Sequence, residues 1–339
     1  MKPAAAVLMM LAACRAPSAT PSPSPIPTVV ATATPTPAPT VAPTPTIAPS
    51  PTPVPDPGVV VMAAGDIACD PADPNFNSGM GTAIACRQRD TASLLVGADV
   101  ILPLGDNQYE CGGLDAYLAS FDLSWGAFKS RMRPAIGNHE HNTTGAPKTF
   151  GTNCDASAAA AGYYTYFGSA APASAYSFDV GAWHLATVDS TCSPARCSAQ
   201  ASWLSDDLAA HATACSLVFY HHPRWSSGLQ GGLIYRDLFW RAAVAGGAEI
   251  VLDGHDHNYE RFSPMDGNGA AADLGVREFV VGTGGYNLTP FAATQPNSEV
   301  RSNDAFGVLK LRLYATSYTW QFMPIAGQTF TDEGRGVCH

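Results

Sequence analysis

The sequence predicts an α/β fold, one domain built as two sheets with helices outside, and three observations carry that expectation. Short apolar runs recur, each ending in a small residue and then a polar, metal-capable one. Stretches with helical apolar spacing lie between them, and the last segments alternate as antiparallel strands do.

The first run, VVVMAAGD at 59–66, has the length and β-branched content of a buried strand. CRQRDTASLLVGA at 86–98 follows with the spacing of a helix laid on a sheet. The strand pattern returns in DVILPLGD at 99–106, MRPAIGN at 132–138, SLVFYHH at 216–222 and EIVLDGH at 249–255. The helical pattern returns in SAQASWLSDDLAAH at 198–211 and GGLIYRDLFWRAAVAGGA at 231–248. Strand, polar turn and helix in repetition imply that ligands gather at the carboxyl ends of strands. REFVVGTGG at 277–285 and FGVLKLRLYATSYTWQFMP at 306–324 suggest a second, antiparallel sheet.

Before residue 58 the composition differs. MKPAAAVLMMLAAC joins a lysine, an apolar stretch too short to span a bilayer, and small residues before Cys14. The LAAC ending resembles the lipobox of bacterial lipoproteins, which implies removal of residues 1–13 and a lipid on Cys14; the alternative is an ordinary secretory signal. Residues 14–57 are dominated by Pro, Thr, Ala, Ser and Val, which cannot bury a core and favour an extended polyproline spacer. The expected organisation is a leader at 1–13, a stalk at 14–57 and a functional head at 58–339, exported and tethered at the cell surface.

Of nine cysteines, eight remain once Cys14 is set aside, an even number that predicts disulfides in an exported chain. Only Cys192 and Cys197 lie close enough in sequence to suggest a particular pair. The net charge of −10, with no run of Lys or Arg, gives no electrostatic footprint for nucleic acid or an anionic membrane. Membrane contact is expected only through the lipid, and an anionic substrate needs another source of positive field.

The five strand ends offer Asp66, Asp106, Asn138 with His139, His221 with His222, and His255 with His257. Singly, an Asp there reads as a helix cap and a Gly-Asn as a turn. Yet five of the nine histidines fall in three strand-end clusters, and the run-then-ligand pattern recurs five times. An oxygen and imidazole set without cysteine suits hard or borderline cations such as iron, zinc or manganese.

GD at 65–66, GDNQY at 105–109, GNHE at 137–140, HH at 221–222 and GHDH at 254–257 resemble the ordered motifs of calcineurin-like metallophosphoesterases. The resemblance runs from residue 59 to about 261 and implies a two-sheet β-sandwich flanked by helices, with two metal ions that hydrolyse phosphate esters. Most members carry Asp-x-His in the first motif, where this chain has Ala68. Purple acid phosphatases also lack that His and replace it with the Tyr of Gly-Asp-x-x-Tyr, here Tyr109; GHDHNYER is similar to their form as well.

By position, the resemblance implies one metal held by Asp66, Tyr109 and His257, and a second held by Asn138, His221 and His255, with Asp106 bridging. A phenol of pKa about 10 ionises near neutrality only beside a strong cation, so Tyr109 points to Fe(III), partnered by Zn(II), Mn(II) or Fe(II). Ions roughly 3.5–4 Å apart clamp the attacking and leaving oxygens while a metal-bound hydroxide attacks phosphorus. His139 is placed as in the family to contact the phosphoryl group. The histidines that plant-type enzymes use to protonate the leaving group are absent, their neighbourhood holding Gln230 and Gly231. Either His222 takes that role or the leaving group needs little protonation. The expected activity is phosphate monoester hydrolysis, with a phosphodiesterase or nucleotidase of the same fold as the alternative. A merely structural metal site is opposed by the ligand set, since such sites are coordinatively closed and cysteine-rich.

Overall fold

Strand β1 (Val59–Ala64) runs beside β2 (Val100–Pro103) in parallel and β10 (Gly307–Tyr314) antiparallel, and the sheet continues through β11 (Ser317–Pro324) to β12 (Glu333–Val337). This is a computed structural model, and it describes residues 57–141, 159–211 and 215–339. The expected leader, Cys14 and the stalk up to Asp56 lie outside the described residues. A second sheet of seven described strands has the order β3 (Tyr176–Val180), β4 (Trp183–Thr187), β5 (Cys215–Phe219), β6 (Ile250–Asp253), β8 (Arg277–Val281), β7 (Tyr259–Phe262), β9 (Ser298–Ser302). Strands β4, β5, β6 and β8 are mutually parallel, and the outer pairs are antiparallel.

Alternation along the central strands explains the layers. Leu217, Phe219, Ile250, Leu252, Phe279 and Val281 join Val61, Ala63, Leu309 and Leu311 in one core cluster between the sheets. The intervening Val218, Val251 and Val280 face the opposite way, into a cluster with Leu204 and Leu208 of helix α4 (Pro194–Ala210) and Phe239 and Trp240 of α5 (Asp237–Ala245). Both faces being covered, these strands read as continuous apolar runs.

Helix α1 (Gln88–Ser93) is a short first helix, and α2 (Leu114–Ala116) passes into a π turn over Tyr117–Phe121. Helix α3 (Ala161–Phe167) precedes β3. Helices α4 (Pro194–Ala210) and α5 (Asp237–Ala245) connect β4 to β5 and β5 to β6. No described helix is long and apolar enough to cross a membrane.

Two expectations are corrected. MRPAIGN forms no regular strand: it lies beside β2 through isolated bridges of Met132 to Ile101 and Ala135 to Leu104, with Arg133 and Ala135 donating to Ile101 O and Pro103 O, and Pro134 between them has no N–H to offer a further strand. The C-terminal strands do not make a sheet of their own. β8 inserts into the seven-stranded sheet, parallel to β6, while β10 and β11 complete the sheet begun by β1 and β2. The disulfide Cys192–Cys197 is present as expected, with Cys69–Cys86 and Cys215–Cys338 also formed.

Candidate metal centre

The loops that follow β1, β2, β5 and β6 converge where the two sheets meet. Backbone hydrogen bonds tie them together: Asp66 N–H to Gly105 O at 3.1 Å, Gly65 N–H to Val281 O at 2.9 Å, and Gly254 N–H to His221 O at 3.0 Å. Asp66, Asp106 and His255 all have positive φ, at 59°, 46° and 68°. A non-glycine residue rarely holds that conformation, and its recurrence at three strand ends marks a site whose side-chain directions are imposed by the frame. Glycine is required alongside: a Cβ on Gly105 would stand 2.7 Å from His221 Nδ1, and one on Gly137 would stand 2.2 Å from Asp106 Oδ1.

Tyr109 Oη lies 2.8 Å from Asp66 Oδ1, 3.3 Å from Asp106 Oδ2 and 3.0 Å from His257 Nε2. His257 Nε2 is also 3.2 Å from Asp66 Oδ1. The backbone N–H of Tyr109 donates to Ala68 O at 2.9 Å, so the main chains of the two motifs run side by side. On the other side of Asp106, His221 Nε2 lies 3.1 Å from Asp106 Oδ2 and 3.1 Å from Asn138 Oδ1. His255 donates its backbone N–H to Asp66 Oδ2 at 2.8 Å, and its ring lies 5.0 Å from that of His221 and 4.3 Å from that of His222. His139 Nε2 is 3.8 Å from Asp106 Oδ2. All nine residues singled out in the sequence therefore meet in one place.

The tautomers follow from the partners. His221 Nδ1 faces only the carbonyl of Leu104 at 3.0 Å, and His139 Nδ1 faces the carbonyl of Glu110 at 2.6 Å, so both carry hydrogen on Nδ1. Nε2 of each ring is left toward Asp106. His257 Nδ1 meets Asn287 Oδ1 at 2.6 Å and likewise turns Nε2 inward. An imidazole held by an acceptor at its outer nitrogen is the arrangement that presents a lone pair to a metal.

The electrostatics favour a cation. Asp66 is fully buried and Asp106 is 1% exposed, and among the described residues their ion-pair partners are all histidines. Burial pulls His221 down, but Asp106 beside it outweighs burial and raises it to about 9. Burial likewise lowers His257, and Asp66 more than compensates. Burial would raise Asp106, but His221 and His139 hold it well below the usual carboxylate range. Asp66 is also lowered, His257 overcoming burial. Burial, then Asp66 and Asp106, push the Tyr109 phenol well above its ordinary value. Burial and His221 lower His255 to about 3, and burial with His255 lowers His222 well below an ordinary imidazole. Asp106 Oδ2 and Asn138 Oδ1 both face His221 Nε2 at 3.1 Å, so two oxygens converge on one imidazole nitrogen, a donor set that a metal ion can share. Asp66, Asp106 and His221 form one group able to hold a metal, and His221, His222 and His255 another. Two carboxylates, an amide, a phenol and imidazoles fit iron, zinc or manganese.

Sequence reasoning assigned no role to Glu140, Ser190, Tyr286 or Asn287. The fully buried Glu140 carboxylate accepts N–H groups from Asp106, Asn107, Gln108 and Gly137. Ser190 Oγ bonds both the backbone N–H of His222, at 3.0 Å, and its Nδ1, at 2.9 Å. Tyr286 and Asn287 follow β8 in FVVGTGGYN, which repeats the apolar-run-then-polar signal of the recognised strand ends.

No family model matches the chain, and no curated protein does. Solved structures do. A purple acid phosphatase from yellow lupin seeds aligns with a TM-score of 0.61 at 20% identity, over 84% of this chain and 55% of that one. The chain thus spans about half the length of that phosphatase. PhoD aligns at 0.51 with 13% identity, over 84% of this chain and 70% of that one. The anchor GAP50 of the Plasmodium inner membrane complex aligns at 0.51 with 13% identity, over 81% and 88%. The fold is that of the calcineurin-like metallophosphoesterases. Within that metallophosphoesterase fold the segment after residue 261, outside the sequence resemblance, supplies β10 and β11 beside β1 and the turn that carries Tyr286 and Asn287.

Proposed function

We propose that the chain is an exported, metal-dependent hydrolase of phosphate monoesters, similar to purple acid phosphatases. The observation that carries the reading is the position of Tyr109: its phenol oxygen is within 3.0 Å of both Asp66 Oδ1 and His257 Nε2, in a chain whose first motif has Ala68 where related enzymes carry a histidine. In this reading Asp66, Tyr109 and His257 hold Fe(III), Asn138, His221 and His255 hold Zn(II), Mn(II) or Fe(II), and Asp106 bridges. The bound ions would supply the positive field that an acidic chain otherwise lacks and would lower the pKa of coordinated water.

The protein's own groups do the rest. Leu104 O, Asn287 and the Glu110 carbonyl hold His221, His257 and His139 with Nε2 inward. His139 Nε2 is directed at the space beside Asp106, where the imidazolium form, with hydrogen on both ring nitrogens, would donate to a phosphoryl oxygen. His222, held by Ser190, is the nearest remaining imidazole to the leaving group, and because burial and His255 disfavour its imidazolium it would act as a hydrogen-bond donor to that group and not as its proton source. The three described disulfides accord with an oxidising compartment, and a lipid on Cys14, or plain secretion, accounts for the leader.

Metal analysis and a visible spectrum on protein purified without added metal test the reading. About two ions per chain, at least one of them iron, with a visible tyrosinate band that Tyr109→Phe abolishes, support it. Full metal content with no band in the wild type defeats the Tyr109 assignment. A rate profile over monoesters and diesters separates a phosphatase from a phosphodiesterase. The mass of the mature N-terminus reports whether Cys14 is lipidated.

A further inference from the structure

Tyr286 stands in a turn that the proposed reaction does not use. Its ring lies flat against that of Tyr109, with centroids 3.6 Å apart and planes 6° from parallel. The turn is fastened on two sides: Tyr286 N–H donates to Asp66 O at 2.9 Å, and Tyr286 O accepts from Cys86 N–H at 2.8 Å. Cys86 is joined to Cys69 by a disulfide, so the strap beneath the ring is cross-linked. The Tyr286 hydroxyl donates to the Glu110 carboxylate. The backbone carbonyl of Glu110 accepts the ring N–H of His139, and His139 contacts the Tyr109 ring at a centroid distance of 4.3 Å. Tyr109 is therefore gripped by two rings, and Glu110 links them.

We propose that Tyr286 is a positioning residue for Tyr109: its stacked ring and its tether to Glu110 fix the phenol against Asp66 and His257 and set the electronic character of the tyrosinate. The inference rests on the reading of Tyr109 as an iron ligand. Two electron-rich rings prefer an offset or edge contact to a face-to-face one, and centroids only 3.6 Å apart with parallel planes leave little offset, so the surrounding straps impose this geometry. A phenolate against an electron-rich face is raised in energy, which moves its charge-transfer absorption to longer wavelength. The stack also leaves Tyr109 only 1% exposed, which keeps water from competing for the ligand position.

The test is the visible band and the rate of iron loss to a chelator, measured on iron-loaded wild type and variants. Tyr286→Leu is expected to move the band to shorter wavelength, to broaden it, and to release iron about 10-fold faster, as loss of a residue supporting a metal ligand does. Tyr286→Phe keeps the ring and is expected to restore the band position. Should the leucine variant fail to fold, Tyr286→Met, which likewise removes the ring, is expected to shift the band in the same direction. A band maximum, width and release rate unchanged in Tyr286→Leu or Tyr286→Met overturn the proposal, as does a Tyr286→Phe shift as large as that of leucine. These failures leave the Tyr109 assignment standing, because the wild-type band would still be present. An iron-loaded wild type without the band overturns both.

Discussion

The Glu140 carboxylate accepts the backbone N–H of Asp106 at 2.9 Å, and the Asp106 carboxylate accepts the N–H of His139, the residue before Glu140, at 2.8 Å. Each acid thus holds the other's loop. Glu140 also takes N–H groups from Asn107 at 2.7 Å and Gly137 at 2.7 Å, and the Tyr117 hydroxyl at 3.1 Å. Glu140→Gln turns one acceptor oxygen into a donor aimed at backbone donors. The expected loss is roughly 3 kcal/mol of stability, because buried donors are left unpaired. A shift of the urea midpoint with unchanged slope would show it, and metal affinity should fall with it.

Gly105→Ala tests the spacing between Asp106 and His221. The added Cβ would meet the His221 ring at 2.7–2.8 Å, at a φ of +86° that an alanine resists. Destabilisation of more than about 1 kcal/mol is expected, together with loss of the second metal ahead of the first. Metal counting on the folded variant decides it.

Asp106→Ala removes the only side chain within 3.3 Å of both Tyr109 Oη and His221 Nε2 among the described residues. Turnover of a phosphate monoester should fall by at least about 10³-fold, the scale seen when a group that stabilises charge at the reacting centre is removed. Unchanged activity in a folded Asp106→Ala protein would overturn the mechanism.

Stability should depend on pH through Glu278, on β8 and away from the metal-binding residues. Burial raises its carboxyl to about 8 from an ordinary 4.5, against a hydrogen bond with the neighbouring buried carboxyl of Asp253, itself raised, and N–H donation from Trp225 and Arg224. Between those values the folded chain keeps a proton that the unfolded chain has released. The contribution is therefore full below the unfolded value and is lost as pH rises through about 8. Melting temperatures should decline across this window in the wild type, and Glu278→Gln should flatten the slope.

The strand ends were legible because chemistry and pattern coincide there: an apolar run sets a buried strand, and the next polar residue has nowhere to go but the junction of the sheets. Ala68 and Tyr109 together were legible as a substitution of one donor by another. Glu140 was not, since a carboxylate whose partners are backbone N–H groups leaves no complementary side chain in the sequence. Tyr286 and Asn287 were hidden by the reading of REFVVGTGG as part of a separate sheet. Alternation gives a strand's faces but not its neighbours, so nothing local says that β8 sits beside β6. MRPAIGN showed the opposite error, an apolar run that one proline keeps from pairing.

The pairing of β1 with β10 has a consequence for how the molecule is made. Val61 faces Leu311 across that ladder, and Thr283, in the turn that bears Tyr286, exchanges hydrogen bonds with Gly307 at the start of β10. Every proposed ligand has been synthesised by residue 257, yet the sheet that carries Asp66 and Asp106 still lacks its inner strand at that point. The loops bearing Asp66 and Asp106 therefore gain the support of β10 only once residues 307–314 have been added. Pairing over such a span is slow, because loop closure comes before the contacts that reward it. Ordering of the proposed ligands thus waits on a strand that carries none of them.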